Sequence, residues 1–287
     1  VRTPLMLQTI LRLNAARIAS AFLVPPATMG QRLTRAKTKI RDAGIRFEVP
    51  AAADLPSRLD AVLEAIYAAY GTGWEDVEGA DPRRRGLAAE AIDLGRLLRR
   101  LMPDEPEPRG LLALMLHCEA RREARRSAAG AYVPFPGQDP ARWSWPLINE
   151  AEHLLAGAAR AGRPGRFQLE AAIQSVHARR AVTGVTDWEA IAVLYEGLVR
   201  TAPTVGAFVG RAAAMAEVHG AAEGWALLRE IPAETAARYQ PYWAVAAHLL
   251  TRLGRPVEAA DAYDRAIGLC QDPATRDYLV GRRRRSS

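Results

Sequence analysis

AARIASAFLVPPATMGQRLTRAKTKIR, residues 15–41, decides how the chain is read. Ile18, Ala19 and Phe22 recur at helical spacing behind Asn14, whose short side-chain acceptor suits an N-cap. Pro25-Pro26 then stops that helix. Each proline lacks an N–H and biases the residue before it away from helical geometry, yet proline fits the first turn of a new helix. A second helix is therefore expected from Pro26. On it Met29, Leu33, Ala36 and Ile40 make an apolar stripe that can pack on the first helix, while Thr28, Gln31, Arg32 and Arg35 share the opposite side. Two short helices around a tight turn are the layout of a helix-turn-helix. In that motif the second helix enters the DNA major groove, its early residues meeting base edges and its later ones phosphates.

Charge points the same way. Of the net +7, all is carried by residues 1–49, which hold nine Lys or Arg against two acids and both lysines of the chain; residues 50–287 hold thirty against thirty. Localised positive charge is the footprint of a polyanion partner. Gln31 and Arg32 are the expected base readers, from the bidentate preference of Gln for adenine and Arg for guanine. Thr28 lies beside them, Arg35, Lys37, Lys39 and Arg41 are expected to hold phosphates, and Arg17 adds a backbone contact from the first helix.

The run Arg17-Ile18-Ala19, Val24-Pro25, Ala27-Thr28-Met29, Arg32-Leu33, Arg35-Ala36-Lys37 and Ile40-Arg41 resembles, without a gap, the promoter-reading region of extracytoplasmic-function sigma factors of the sigma-70 family. The remainder looks like the long tetratricopeptide-like extension of one group of them. The resemblance implies bacterial transcription initiation, an upstream promoter element as the DNA read, and core RNA polymerase as partner. Leu23 stands where that family commonly has glycine in the turn, and Gly30 where a basic residue is common. The N-terminal region with which such factors grip polymerase has no counterpart here. Beginning at Val1, the chain is expected either to lack a preceding segment or to start at an unusual codon.

The expected fold is all-α: a small helix-turn-helix domain (1–45), a linker (46–56) docking through Phe47, a helical extension (57–160) and tetratricopeptide-like helical repeats (161–287). Leu5, Met6, Ile10 and Leu13 supply packing behind the helix pair, which cannot bury both apolar faces alone. In the extension, Leu59, Val62, Leu63, Ile66 and Tyr70 share a side until Gly71-Thr-Gly-Trp ends their helix. After a loop with Asp81-Pro82, Ala91, Leu94, Leu98 and Leu101 form the inner side of the next helix, and a further helix runs from Gly110 to Arg126. Tyr132 to Pro146, rich in aromatics and prolines, either forms a groove or caps a helical layer. The clearest repeat is Trp243–Pro273, with Trp243 and Leu250 on one helix, Gly254 at the turn, and Ala259, Tyr263 and Ala266 on the second. Ala190, Gly224 and Ala259 mark copies at 34- and 35-residue spacing, close to the tetratricopeptide period, and an older unit sits at Ala151 and Leu155. Such arrays leave a concave face for binding, here a regulatory protein. Arg282 to Arg285 form a solvated basic tail.

Catalytic chemistry is not expected. The five histidines are scattered, Cys118 and Cys270 suit a reducing cytoplasm, and His117-Cys118-Glu119 would diverge on a helix. Neither a metal nor a cofactor is implied. No apolar run approaches the roughly 20 residues that span a bilayer, so a soluble cytoplasmic protein is expected. The competing reading is a helical-repeat interaction scaffold carrying a vestigial helix-turn-helix.

Overall fold

Caps and turn residues cut this chain into helices, and nothing extended competes with them. The structure, a computed structural model, describes residues 2–45, 50–74 and 86–286. Among these every regular element is helical, and the one ladder contact is an isolated bridge between Arg126 and Tyr132. The fold is all-α. It divides into two compact units, Val1–Pro103 and Asp104–Ser287.

The first unit contains α1 (Arg2–Thr9), α2 (Ala15–Ala21), α3 (Pro26–Asp42), α4 (Leu59–Trp74) and α5 (Leu87–Leu101). α2 packs on α3, and α4 packs on α5, α1 and α2; the Thr3 hydroxyl donates to the Ala61 carbonyl at 3.3 Å. Leu7, Leu13, Ile18, Met29, Leu33 and Leu63 are buried in this unit. The compact unit therefore does not close at residue 45. It runs through the expected linker, because the apolar side of α4 lies against the helix-turn-helix. Phe47 and the Asp81-Pro82 loop fall outside the described residues.

Three expectations need correction here. α1 ends at Thr9, so Ile10 leaves the periodic face and is 69% exposed, while Pro4 and Leu7 are the buried positions. α4 does not stop at Tyr70: Gly71 is not in the left-handed region that a terminating glycine adopts, and the helix continues to Trp74. On α5 the buried side runs through Leu87, Ala88, Ala91, Ile92 and Gly95; of the expected inner residues Ala91 is buried, Leu94 and Leu98 are half-buried, and Leu101 is exposed.

The second unit contains α6 (Pro106–Glu119), α7 (Trp145–Ala159), α8 (Arg166–Thr183), α9 (Trp188–Thr201), α10 (Val205–His219), α11 (Ala221–Arg229), α12 (Ala233–Ala236), α13 (Gln240–Arg252), α14 (Pro256–Leu269) and α15 (Pro273–Ser286). α6 begins earlier than Gly110 because Pro106 and Pro108 both sit in its first turn, where a missing N–H costs nothing. It ends at Glu119, so Arg121 to Arg126 lie in turns beyond it. α6 packs on α7 and α8, α8 on α9, α9 on α10, α10 on α11, α11 on α13, α13 on α14 and α14 on α15, the neighbour-on-neighbour stacking of a repeat array.

The Trp243–Pro273 unit has the expected internal geometry. Gly254 has φ +67°, and the N–H groups of Gly254 and Arg255 donate to the carbonyls of Thr251 and Leu250. Ala259, Tyr263 and Ala266 are buried. Gly224 is required by space: a Cβ there would stand 2.6 Å from the Ala212 carbonyl oxygen. Ala190 is only half-buried, and the sealed position in α9 is its neighbour Ile191, so the first copy is displaced by one residue. In α7, Ala151 is buried and Leu155 half-buried. The basic run is not a tail after the last helix but the end of α15, where Arg283 pairs with Asp264 at 2.6 Å. Among the described residues no helix is long and apolar enough to cross a membrane.

Candidate nucleic-acid interface

The interface is built from two helix ends and the turn between them. Asn14 caps α2, its side-chain oxygen accepting from the Arg17 N–H at 3.0 Å. α2 closes in a Schellman arrangement: the Leu23 N–H donates to the Ser20 carbonyl at 3.2 Å and the Val24 N–H to the Ala19 carbonyl at 3.0 Å. Leu23 occupies the left-handed position of that motif with φ +52°, a backbone conformation usually given to glycine. Pro25 is extended, Pro26 opens α3, and the Met29 N–H reaches back to the Pro25 carbonyl at 3.1 Å. α3 closes in the same way at Gly44, φ +60°, with Gly44 and Ile45 N–H donating to Arg41 and Ile40. Met29 and Leu33 bury the inward stripe, Ala36 is half-buried, and Ile40 is 39% exposed where the stripe runs beyond its cover.

The opposite face of α3 is open. Gln31, Arg35, Thr38 and Asp42 follow i, i+4, i+7, i+11 and form its crest. Thr28, Arg32 and Lys39 lie along one flank; Thr34, Lys37 and Arg41 lie along the other. Gln31, Arg32, Arg35, Lys37, Lys39 and Arg41 are exposed, whereas Thr28 and Arg17 are half-buried. Arg41 lies 3.4 Å from Asp42, a pair well exposed on both sides, and also approaches the Thr38 hydroxyl at 3.5 Å. Arg32, Arg35, Lys37 and Lys39 have no carboxylate partner among the described residues. Thr34, Arg35, Thr38, Lys39, Asp42 and Ala43 line a shallow depression of ≈ 570 Å³.

This is a polar crest flanked by cations on both sides, the arrangement that suits base edges in a groove with phosphates along each wall. All of the α3 candidates come together on it; Arg17 belongs to α2 and stands apart from the row. Sequence reading passed over Thr34, Thr38 and Asp42, although stepping by helical spacing from Gln31 and Arg41 finds them. Asp42 places a negative charge at the far end of the crest.

The other constellation diverges. His117 is sealed on α6 with its Nε2 3.4 Å from Glu152 Oε1, Cys118 faces Arg121, and Glu119 binds Arg122 through two contacts at 2.7 and 2.9 Å. Burial holds His117 down to about 4, with Arg121 adding to the effect; the charge of half-exposed Glu152 does not reverse it. Burial pushes the Cys118 thiol up, which is the wrong direction for a nucleophile. Among the described residues no three His, Cys, Asp or Glu side chains group as metal ligands would.

Residues 58–159 match a protein-family model described as a family of unknown function (DUF6596). The chain is also similar to uncharacterized protein R00370 of Rhizobium meliloti (strain 1021), with 40% identity over 275 residues, covering 96% of this chain and 65% of that protein. The chain thus spans just under two thirds of that relative's length. No solved structure matches it.

Proposed function

We propose that this chain is the DNA-binding, C-terminal part of a sigma-type bacterial transcription initiation factor of the extracytoplasmic-function kind. On this reading it acts in the cytoplasm with core RNA polymerase, and its repeat unit serves as a surface for regulation. The observation that carries the proposal is the uncovered outer face of α3: Gln31 and Arg35 on its crest and Arg32 on its flank are exposed on a helix whose other side is fixed by Met29 and Leu33. α2 and the Leu23 turn hold that helix so that its N-terminal half projects into a groove. Arg32 and Gln31 then read base edges, and Arg35, Lys37, Lys39 and Arg41 neutralise phosphates. The relative carries about a third of its length outside the aligned stretch, enough for a polymerase-gripping region. No metal, cofactor or catalytic step enters this function.

The test is selection of duplexes from a randomised pool, first at low ionic strength and then at physiological salt. Enrichment of a defined motif supports promoter reading, and addition of core polymerase then tests the partner. An absence of affinity for every duplex at low ionic strength would overturn it in favour of a repeat scaffold with a vestigial helix-turn-helix.

A further inference from the structure

The proline-rich loop between α6 and α7 hides an electrostatic imbalance. Phe135 and Trp143 stack at 5.9 Å between ring centroids, and the loop is tied down by Arg180 of α8, which donates to the carbonyls of Pro136 at 2.8 Å and Gln138 at 2.9 Å. The Arg180 guanidinium lies over Phe135 at 4.8 Å and over Trp143 at 5.5 Å, and the Arg121 guanidinium lies over Phe135 at 4.9 Å. His177 packs edge-on against the same ring at 4.6 Å. The cluster therefore caps a helical layer, with Trp143 only 3% exposed, though Trp145 escapes it at 42%.

Two guanidiniums in one half-buried cluster call for a counter-ion, and among the described residues no carboxylate forms an ion pair with either. Arg121 is bonded to the Gln174 side chain, to the His117 carbonyl and to the Cys118 thiol, all uncharged. Glu119, at the end of α6 two residues before Arg121, and Glu170 of α8 are engaged by Arg122 and Arg166 at 2.7 Å. The field is correspondingly one-sided: burial, Arg121 and Arg180 hold His177 down to about 4, burial and Arg121 lower Arg180, and no carboxylate opposes either shift. Hydrogen bonding is incomplete in the same place. The indole N–H of Trp143, the Arg180 Nε–H and the His177 Nδ1 are sealed from solvent without a partner, as is the Gln138 side-chain oxygen. Buried polar groups that meet nothing in the protein normally meet water or an ion.

We propose that the Phe135 cluster binds a small oxyanion, the chemistry shared by a carboxylate and a phosphate group, paired with the Arg121 and Arg180 guanidiniums and accepting from the Trp143 indole. A negatively charged acceptor supplies both the counter-charge and a partner for the Trp143 and Arg180 N–H donors, whereas water supplies no charge; the Gln138 oxygen, itself an acceptor, is left to water. Occupancy would lock the 132–146 loop onto α6 and α8 and so couple a soluble ligand to the first helices of the repeat unit.

The full chain is titrated with sodium phosphate, with sodium acetate and with sodium chloride at matched ionic strength, following the Trp143 indole N–H and the His177 ring signals by NMR. Saturable shifts in the phosphate or the acetate arm, absent with chloride, are expected, and the stronger arm names the ligand class. Arg121→Gln should weaken that binding by about tenfold or more, since a charge-assisted bond is lost, and Arg121→Lys should restore part of it. Equal responses in all three arms, or no saturable shift, would mean that the cluster holds water only. Undiminished binding by a folded Arg121→Gln chain would overturn the assignment; should that variant fail to fold, the three-arm titration of the unmodified chain decides alone.

Discussion

Arg32 and Lys37 sit five residues apart on the same helix, both exposed and unpaired, yet their positions give them different work. Both lie on flanks of the crest, but Arg32 is in the N-terminal half of α3, the end that enters the groove and meets base edges, whereas Lys37 is on the opposite flank in the C-terminal half, where side chains meet phosphate. Arg32→Ala is expected to cost about 1–3 kcal/mol on the selected duplex and far less on random DNA, whereas Lys37→Ala weakens both alike and lowers the salt slope by about one. Fluorescence anisotropy across a salt series separates the two, and equal loss on both duplexes for Arg32→Ala would remove it from base reading. His117 and His177 carry a different kind of prediction. Both are held down to about 4 in the folded chain against 6.5 for a free imidazole. Below pH ~6.5 the unfolded chain takes up protons that the folded chain refuses until about pH 4, so stability falls with pH across that window and is unaffected above it. Each group contributes on the order of 3 kcal/mol of loss at the acid end. Urea denaturation at pH 7 and pH 5 checks the sign, and a chain no weaker at pH 5 would show that neither imidazole stays neutral through burial.

Among the described residues two that are not glycine have a left-handed backbone, Arg12 before α2 and Leu23 in the α2–α3 turn. Leu23 pays the left-handed cost of about 1–2 kcal/mol that Gly44, in the identical position after α3, avoids. Leu23→Gly removes that strain but loosens the unfolded chain by about 0.4–1 kcal/mol, so a net gain of about 0.5–1 kcal/mol is expected, read as a small rise in the thermal midpoint. A fall instead would mean that the partly covered Leu23 side chain contributes more by packing than its backbone costs. The existence of this turn was legible because Pro25-Pro26, Asn14 and the Met29/Leu33 spacing each act through neighbours in sequence. Helix ends were less legible wherever a residue has two uses. Gly71 can terminate a helix or ride within one, and Pro106 and Pro108 can end a segment or open the next; only tertiary cover decides between them. The buried side of α5 was read in part: Ala91 is sealed as its spacing suggests, Leu94 and Leu98 are half-buried and Leu101 is exposed, while Leu87, Ala88, Ile92 and Gly95 complete the side that packing buries.

At the scale of the whole molecule, composition sets the class and contacts between distant segments set the units. The cations of α3 were readable because they are neighbours on one helix; the cluster around Phe135 was not, because Arg121, Phe135, His177 and Arg180 meet only through the packing of α6 and α8 with the loop between α6 and α7. The break in composition near residues 46–56 resembles a linker, yet α4 follows it and covers the helix-turn-helix. That geometry sets a limit on what can be cut away. A fragment of residues 1–49 leaves the faces of α1 and α2 that α4 covers open to water, and α1 and α2, of eight and seven residues, are too short to hold themselves as helices. Residues 1–103 keep Leu63, Ile66 and Tyr70 in place. Circular dichroism should therefore find residues 1–103 helical with a cooperative melt and residues 1–49 largely unfolded, and duplex binding should follow the fold, present in the first and much reduced in the second. A helical, cooperatively melting 1–49 fragment that binds DNA as tightly as residues 1–103 would show that α4 is a neighbour of the DNA-reading pair and not part of its support.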